Sequence, residues 1–376
     1  MKTSLFFLLV SNLLSAQVVP GTTGQSSTSG HPPTTLIVTA VGSDRQPIAN
    51  LTKDQVGVLV DNAQSASVGT IRRFTDEPLR LGIVLFGSKR FFPQEQAAAA
   101  ALVQKLIRTN VDAAFVLTAG GSKPWPLPQI NWQSDKDALV KTIRSLERDR
   151  GIDDAFNFEI NDTAEEHELS HYLGFSAGRQ REWSMARQRN HGATVFDAVW
   201  GMMKSDPQPA RHALVIFREP WAHATGGDSQ SFEYVQGQVA NIVTTAQKLR
   251  IPIYTIGIED PALIPSESKS LGTESRWTSY EEMIQRERQK LYFTGKTNIE
   301  RISTGTGGSS YWNSKKNYSD AVDGIVLELE GQYSLTFFAP SEGPVTSSHT
   351  VKFVPKRADL HLNGPTAYYL DKPPAN

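Results

Sequence analysis

Between Leu79 and Arg90 the chain reads LRLGIVLFGSKR, an unbroken apolar run of strand length that breaks at Gly87 and Ser88. A run with no polar alternation must be covered on both faces, which predicts a central strand of a parallel α/β sheet. An Ala-rich helical stretch over 93–110 follows it. Strands are predicted near 113–118, 213–217 and 253–258, with helices over 134–148, 231–250 and 317–330. Strand and helix alternate throughout, so the fold class is α/β with a doubly wound, mostly parallel sheet. Ser134, three residues before Asp137, reads as the cap of its helix. In open sheets of this kind ligands bind beyond the carboxyl ends of the strands, which places Ser88, Lys89 and Arg90 on that rim.

The flanks follow a different rhythm. Three β-like segments, 35–41, 55–60 and 67–74, precede the α/β part, with Asp61 and Asn62 as a turn signal. After Gln332 the strand pattern returns over 333–338, 349–353 and 367–370. Three short strands cannot bury a core alone, so both ends of the chain are expected to build one small β-subdomain. The division is therefore 34–77 for the amino-terminal strands, 78–330 for the α/β part and 331–371 for the completing strands. Segments near 151–192 and 259–294 exceed ordinary α/β connections and read as surface insertions.

Residues 1–16 place Lys2 before an apolar stretch that ends in Ser15 and Ala16, the pattern of a secretory signal peptide cleaved near Ala16. That stretch is about half the roughly 20 residues a spanning helix needs, so no transmembrane segment is expected. Residues 17–33, rich in Gly, Ser, Thr and Pro, read as a disordered leader. The chain contains no cysteine, which excludes disulfides and thiolate metal sites. A formal net charge of -1 over 376 residues gives no electrostatic case for nucleic acid. The protein is expected to be secreted or periplasmic and held together by packing alone.

The order of these parts, with TTLIVTAVGSDRQPIANLTKDQVGVLVDN at the front, STGTGGSSYW and LEGQYSLTFFAP near the end, resembles von Willebrand factor A-related domain proteins of the acidobacterial type. The resemblance covers nearly the whole mature chain. It implies an A-domain fold, export, and a binding role without a well-defined activity, and the function expected here is a non-enzymatic binding or adhesion module. Ligand-binding A-domains hold Mg²⁺ with Asp-x-Ser-x-Ser after the first strand, a Thr from a later loop and an Asp after the fourth strand. Here the first motif aligns as Phe86-Gly87-Ser88-Lys89-Arg90, Thr194 matches the later Thr, and Glu219 stands where the last Asp belongs. Two hydroxyls and one carboxylate beside Arg90 and Arg218 make a poor oxygen shell for a hard cation, so the adhesion site is degenerate and Mg²⁺ is not expected. Either Arg90, Lys89 or Arg218 meets an acidic ligand directly, or Arg90 pairs with Glu219 and the rim is neutralised. Trp221 could add an apolar contact there. The partner, an unknown protein or acidic ligand, is not specified by sequence.

His167-Glu168-Leu169-Ser170-His171 matches HExxH, in which two imidazoles one helical turn apart bind Zn²⁺ and Glu168 activates water. The extended pattern fails at Ala177, where a third His belongs, and the third ligand is left open among Glu182, His191 and His223. The alternative is a charged helix in a long insertion. Zinc peptidase and structural envelope protein therefore stand as alternatives to the binding module. Gly305-Thr306-Gly307-Gly308 lacks the Lys of a phosphate loop and reads as a turn before a strand over 309–312. Asp197 reads as a brace for the Thr194 loop, and the seven Trp are scattered and read mostly as core.

Overall fold

The computed structural model describes residues 33–62, 64–85, 91–118, 131–146, 210–218, 229–258, 292–313, 318–339 and 348–369. Two sheets organise them.

The parallel sheet contains β4 (Leu79–Leu85), β5 (Ala113–Thr118), β6 (Arg211–Arg218), β7 (Ile253–Ile258) and β8 (Ser310–Asn313), in the order β5-β4-β6-β7-β8. Every pair is parallel. On one face Leu79, Leu81, Ile83 and Leu85 pack against α1 (Phe92–Leu106), α2 (Lys136–Ser145) and α5 (Ser319–Glu330). On the other, Val84, Leu214 and Ile216 pack against α3 (Ser229–Leu249) and α4, a helix covering 292–306. Burying each Leu, Ile or Val contributes about 1.5 to 3 kcal/mol. That outweighs the roughly 1 kcal/mol span of strand propensity, so coverage on both faces fixes β4 as a strand. Gly82 is required there, because a Cβ would lie 2.7 Å from Phe115 and 2.8 Å from Leu214.

The second sheet is antiparallel and joins both ends of the chain. Its strands are β1 (Thr34–Gly42), β2 (Val56–Val60), β3 (Gln64–Arg73), β9 (Gln332–Phe338), β10 (Ser348–Pro355), β11 (Leu360–Asn363) and β12 (Ala367–Tyr369), in the order β11-β1-β9-β3-β2-β10-β12. β1 and β9 pair from Thr34 opposite Phe337 to Thr39 opposite Gln332. The sheet curls, so that one short stretch of chain supplies both of its end strands, β11 beside β1 and β12 beside β10. Alternate side chains, including Val38, Val58, Leu335, Phe337 and Val351, point inward to form its core. Asp61 and Asn62 adopt φ of 49° and 66° in the β2–β3 turn, a conformation these two residue types tolerate.

The curled sheet packs against the amino ends of the parallel strands. The Ala40 N–H donates to the Gly331 carbonyl at 2.9 Å. Within the parallel unit, buried Arg211, the first residue of β6, donates to the Leu329 carbonyl at 2.6 Å and holds the end of α5 beside that edge. Gln332 donates to the hydroxyl of Tyr254, the second residue of β7, at 3.3 Å. The carboxyl ends of the strands therefore face away from the curled sheet.

Several sequence expectations need correction. The cap of α2 is Asp135 rather than Ser134, its carboxylate accepting from the N–H groups of Asp137 and Ala138 at 3.0 Å each. Helix α4 and strand β11 were not expected. The segment of α4 contains Gly, Thr and Asn, poor helix formers, and is held by burial of Tyr292, Ile299 and Ile302. Of the seven Trp, Trp132 and Trp312 are described and both are half-buried, Trp132 packing against the core with its ring 4.9 Å from that of Phe115 between centroids.

Candidate functional site at the carboxyl ends of the parallel strands

β4 and β6 are adjacent and parallel, in register from Leu79 opposite Arg211 to Val84 opposite Ile216. The chain passes from β4 to β5 on one side and arrives at β6 on the other, so the strand order reverses between β4 and β6. At such a reversal the connections leave in opposite directions and open a crevice beyond the carboxyl ends.

Ser88, Lys89 and Arg90 follow β4 directly in the chain, and Glu219 and Trp221 follow β6. These residues, Thr194, Asp197, and the HExxH residues His167, Glu168 and His171 lie outside the described residues. Of the rim candidates, Arg218 alone is described, as the last residue of β6, opposite Gly257 of β7. The fold shows only that β4 and β6, the strands these segments follow in the sequence, end side by side. Among the described residues, no group of three or more His, Asp or Glu could hold a metal ion.

One rim-side residue escaped sequence reasoning. Glu95, in the first turn of α1, is 1% exposed. A carboxylate there is favoured by the positive end of the helix dipole. Phe91 and Phe92, both buried, pin the start of α1 beneath the rim. The available signal was a Glu following Pro93 at the head of an Ala-rich helix, a position that suits negative charge.

The opposite edge carries a buried carboxylate at the centre of a hydrogen-bonded cluster. Asp112, 1% exposed, lies just before β5. Its Oδ1 accepts from the Leu79 N–H at 2.7 Å and from Arg108 Nη2 at 2.9 Å, and its Oδ2 accepts from the Arg108 N–H and Nε at 2.8 Å each. Burial pushes its pKa upward, but these hydrogen bonds outweigh burial and hold it below the ordinary aspartate value. The pKa of Arg211 is lowered as well, but there burial is the main cause and disfavours the charged form, opposed by the negative charge of Asp112.

Glu328, on the last turn of α5, accepts from Ser309 Oγ at 2.9 Å and from the Tyr311 hydroxyl. Burial is the main cause of its raised pKa, only partly opposed by those donors and by Arg45. A carboxyl group with a raised folded-state pKa is fully stabilising below its unfolded value and loses that contribution as pH rises through the folded value. Glu328→Gln, which keeps an acceptor and removes the charge, is expected to stabilise the fold by about 1 kcal/mol at pH 7.5 and by nothing at pH 4. Thermal melts across that range check it. A variant less stable than the parent at pH 7.5 would refute it.

No protein-family model matches the chain, and no curated protein matches it. Among solved structures, the chain is similar to proximal thread matrix protein 1 from the mussel byssus, at 9% identity and a TM-score of 0.35 over 70% of this chain and 49% of that one. It is also similar to the PilB minor pilin of Streptococcus sanguinis, at 10% identity and a TM-score of 0.37 over 67% of this chain and 62% of that one. A third similarity, to three amino-terminal domains of the pilus tip protein Mfa5 of Porphyromonas gingivalis, has a TM-score of 0.21 and 11% identity over 51% of this chain and 27% of that one. The chain therefore spans about half the length of the byssus protein. Overlap at these values carries no role across to this chain. No helix among the described residues is long and apolar enough to cross a membrane.

Proposed function

We propose that the chain is an exported, non-enzymatic binding or adhesion protein that takes its ligand at the carboxyl edge of a doubly wound, von Willebrand factor A-like sheet. The observation that supports this reading is the reversal of strand order between β4 and β6 at an edge facing away from the curled sheet. Binding there proceeds without a divalent cation. Phe86 stands where the resembling family places Asp, and Arg90 stands where it places the second Ser, so the donor set does not fit Mg²⁺. Arg90 then supplies fixed positive charge and a planar fork of donors suited to a carboxylate.

The test uses a short glutamate-rich peptide as the acidic probe, with the full mature chain, in EDTA and in millimolar Mg²⁺. Arg90→Ala is expected to weaken binding by about 1.5 to 3 kcal/mol, and Ser88→Ala by less than about 1. Arg90→Lys should recover part of the loss, because Lys keeps the charge without the fork. Binding should be the same in both buffers. Equal and negligible losses in both alanine variants would overturn the role of Arg90. Binding that requires Mg²⁺ and is lost in Thr194→Ala would overturn the cation-free reading.

A further inference from the structure

We infer that the carboxyl-terminal stretch 360–369 is a lock that fixes the curled sheet to the parallel unit, so that the two respond as one body. Two units joined at a single place are free to rotate about it, and relative motion is the default for joined domains. The junction of Ala40 with Gly331 and of Gln332 with Tyr254 is one such place. The stretch 360–369 supplies a second, through different elements.

Its two ends belong to the curled sheet, pairing with β1 and with β10. Its middle turns to the parallel unit. Asn363 Nδ2 donates to the Gly308 carbonyl at 3.1 Å, and the Thr366 N–H donates to the Gly305 carbonyl at 3.2 Å. Buried Gln247 of α3 donates to the same Gly305 carbonyl at 2.7 Å and to Thr366 Oγ1 at 3.3 Å, so one side chain ties α3, the end of α4 and the crossing chain together. The backbones meet without side chains between them: a Cβ on Gly307 would lie 2.8 Å from Gly364 C and Pro365 N. At the far end the hydroxyls of Tyr369 and Thr244 lie 3.3 Å apart, and Lys248 Nζ lies 4.9 Å from the centre of the Tyr369 ring. The lock is polar on the parallel side and strand-paired on the other, so it can be cut without opening either core.

The experiment compares the full chain with Gln247→Ala/Asn363→Ala by calorimetry and hydrogen exchange. The parent is expected to unfold in one transition, and the double variant in two, with amides of β10 and β12 exchanging independently of those in β7. Should the double variant fail to fold, Thr366→Val/Tyr369→Phe is the milder cut, expected to speed exchange in β12 about tenfold with β7 unchanged. Two transitions already in the parent would overturn the lock. So would a single transition with unchanged exchange in a folded double variant, or unchanged β12 exchange in the milder one.

Discussion

Replacing Asp112 by alanine is expected to destabilise the folded chain by about 3 to 5 kcal/mol, a large share of the 5 to 15 that an ordinary domain has. The carboxylate satisfies the buried N–H of Leu79, where β4 begins, and the N–H and guanidinium of Arg108, where α1 gives way to β5. Removing it orphans the Leu79 and Arg108 N–H groups, each at about 1 to 3 kcal/mol. The Arg108 guanidinium, with 47% of its side chain exposed, can return to water and adds little. Arg211 cannot: it is buried, and Asp112 is the foremost opposite charge acting on it. Loss of that compensation raises the total above that of the orphaned amides alone.

The pH dependence fixes the assignment. Asp112 has a depressed folded-state pKa, so its contribution is fully present above the ordinary value of 3.8 and is lost as pH falls through the folded value. Urea unfolding of the parent and of Asp112→Asn should therefore differ strongly at pH 7 and converge well below pH 3.8. A difference of the same size at both ends would show that shape, and not charge, is what Asp112 supplies. Asn keeps one acceptor but turns an amide toward donors, so it should lose somewhat less than Ala.

This pair also marks where sequence reading ended. The run Leu81 to Phe86 signals a strand covered on both faces because no polar residue interrupts it, and burial dominates every competing term there. The Asp61-Asn62 turn is legible because few residue pairs adopt positive φ at low cost. Asp112 is a different kind of residue: one carboxylate among 39 Asp and Glu, whose importance depends on Leu79 and Arg211 being brought beside it by the sheet. That one stretch of chain supplies both end strands of the curled sheet was equally hidden. β11 has four residues, LHLN, too few for alternation to signal its pairing with β1. Of the candidate site, sequence identified which strand ends carry Ser88 to Arg90 and Glu219. The sheet order adds that those ends are neighbours. Glu95 stayed invisible because nothing local says that a Glu in a first turn is buried.

The Gly-rich run before β8 can be read by substitution in the same way, and Gly308→Ala is expected to cost about 3 kcal/mol, the upper end for overpacking. A Cβ at Gly308 would sit 2.2 Å from the Ile253 carbonyl oxygen and 2.6 Å from its carbon, and backbone at the start of β7 cannot move aside as a side chain can. The approach is held from several directions. Gly307, at φ 87°, ends α4 with its N–H on the Thr304 carbonyl, while the Gly308 N–H reaches Ser303 at 3.0 Å, the pair of bonds that closes a helix on a left-handed residue. Thr306 Oγ1 then accepts from the Ile253 N–H at 3.0 Å, and the Thr255 N–H reaches the Ser309 carbonyl at the same distance. Gly305 provides the control, since a Cβ there meets only the Val243 side chain, at 2.9 Å, and alanine within a helix regains up to about 1 kcal/mol of propensity. Denaturation of the two variants should thus rank Gly308→Ala far below Gly305→Ala. Equal stability of the two, with altered phosphate binding in Gly308→Ala, would mean that the run cradles an anion after all. A large loss confined to Gly308→Ala identifies it as the place where the end of α4 is pressed against the sheet so that β8 can pair with β7.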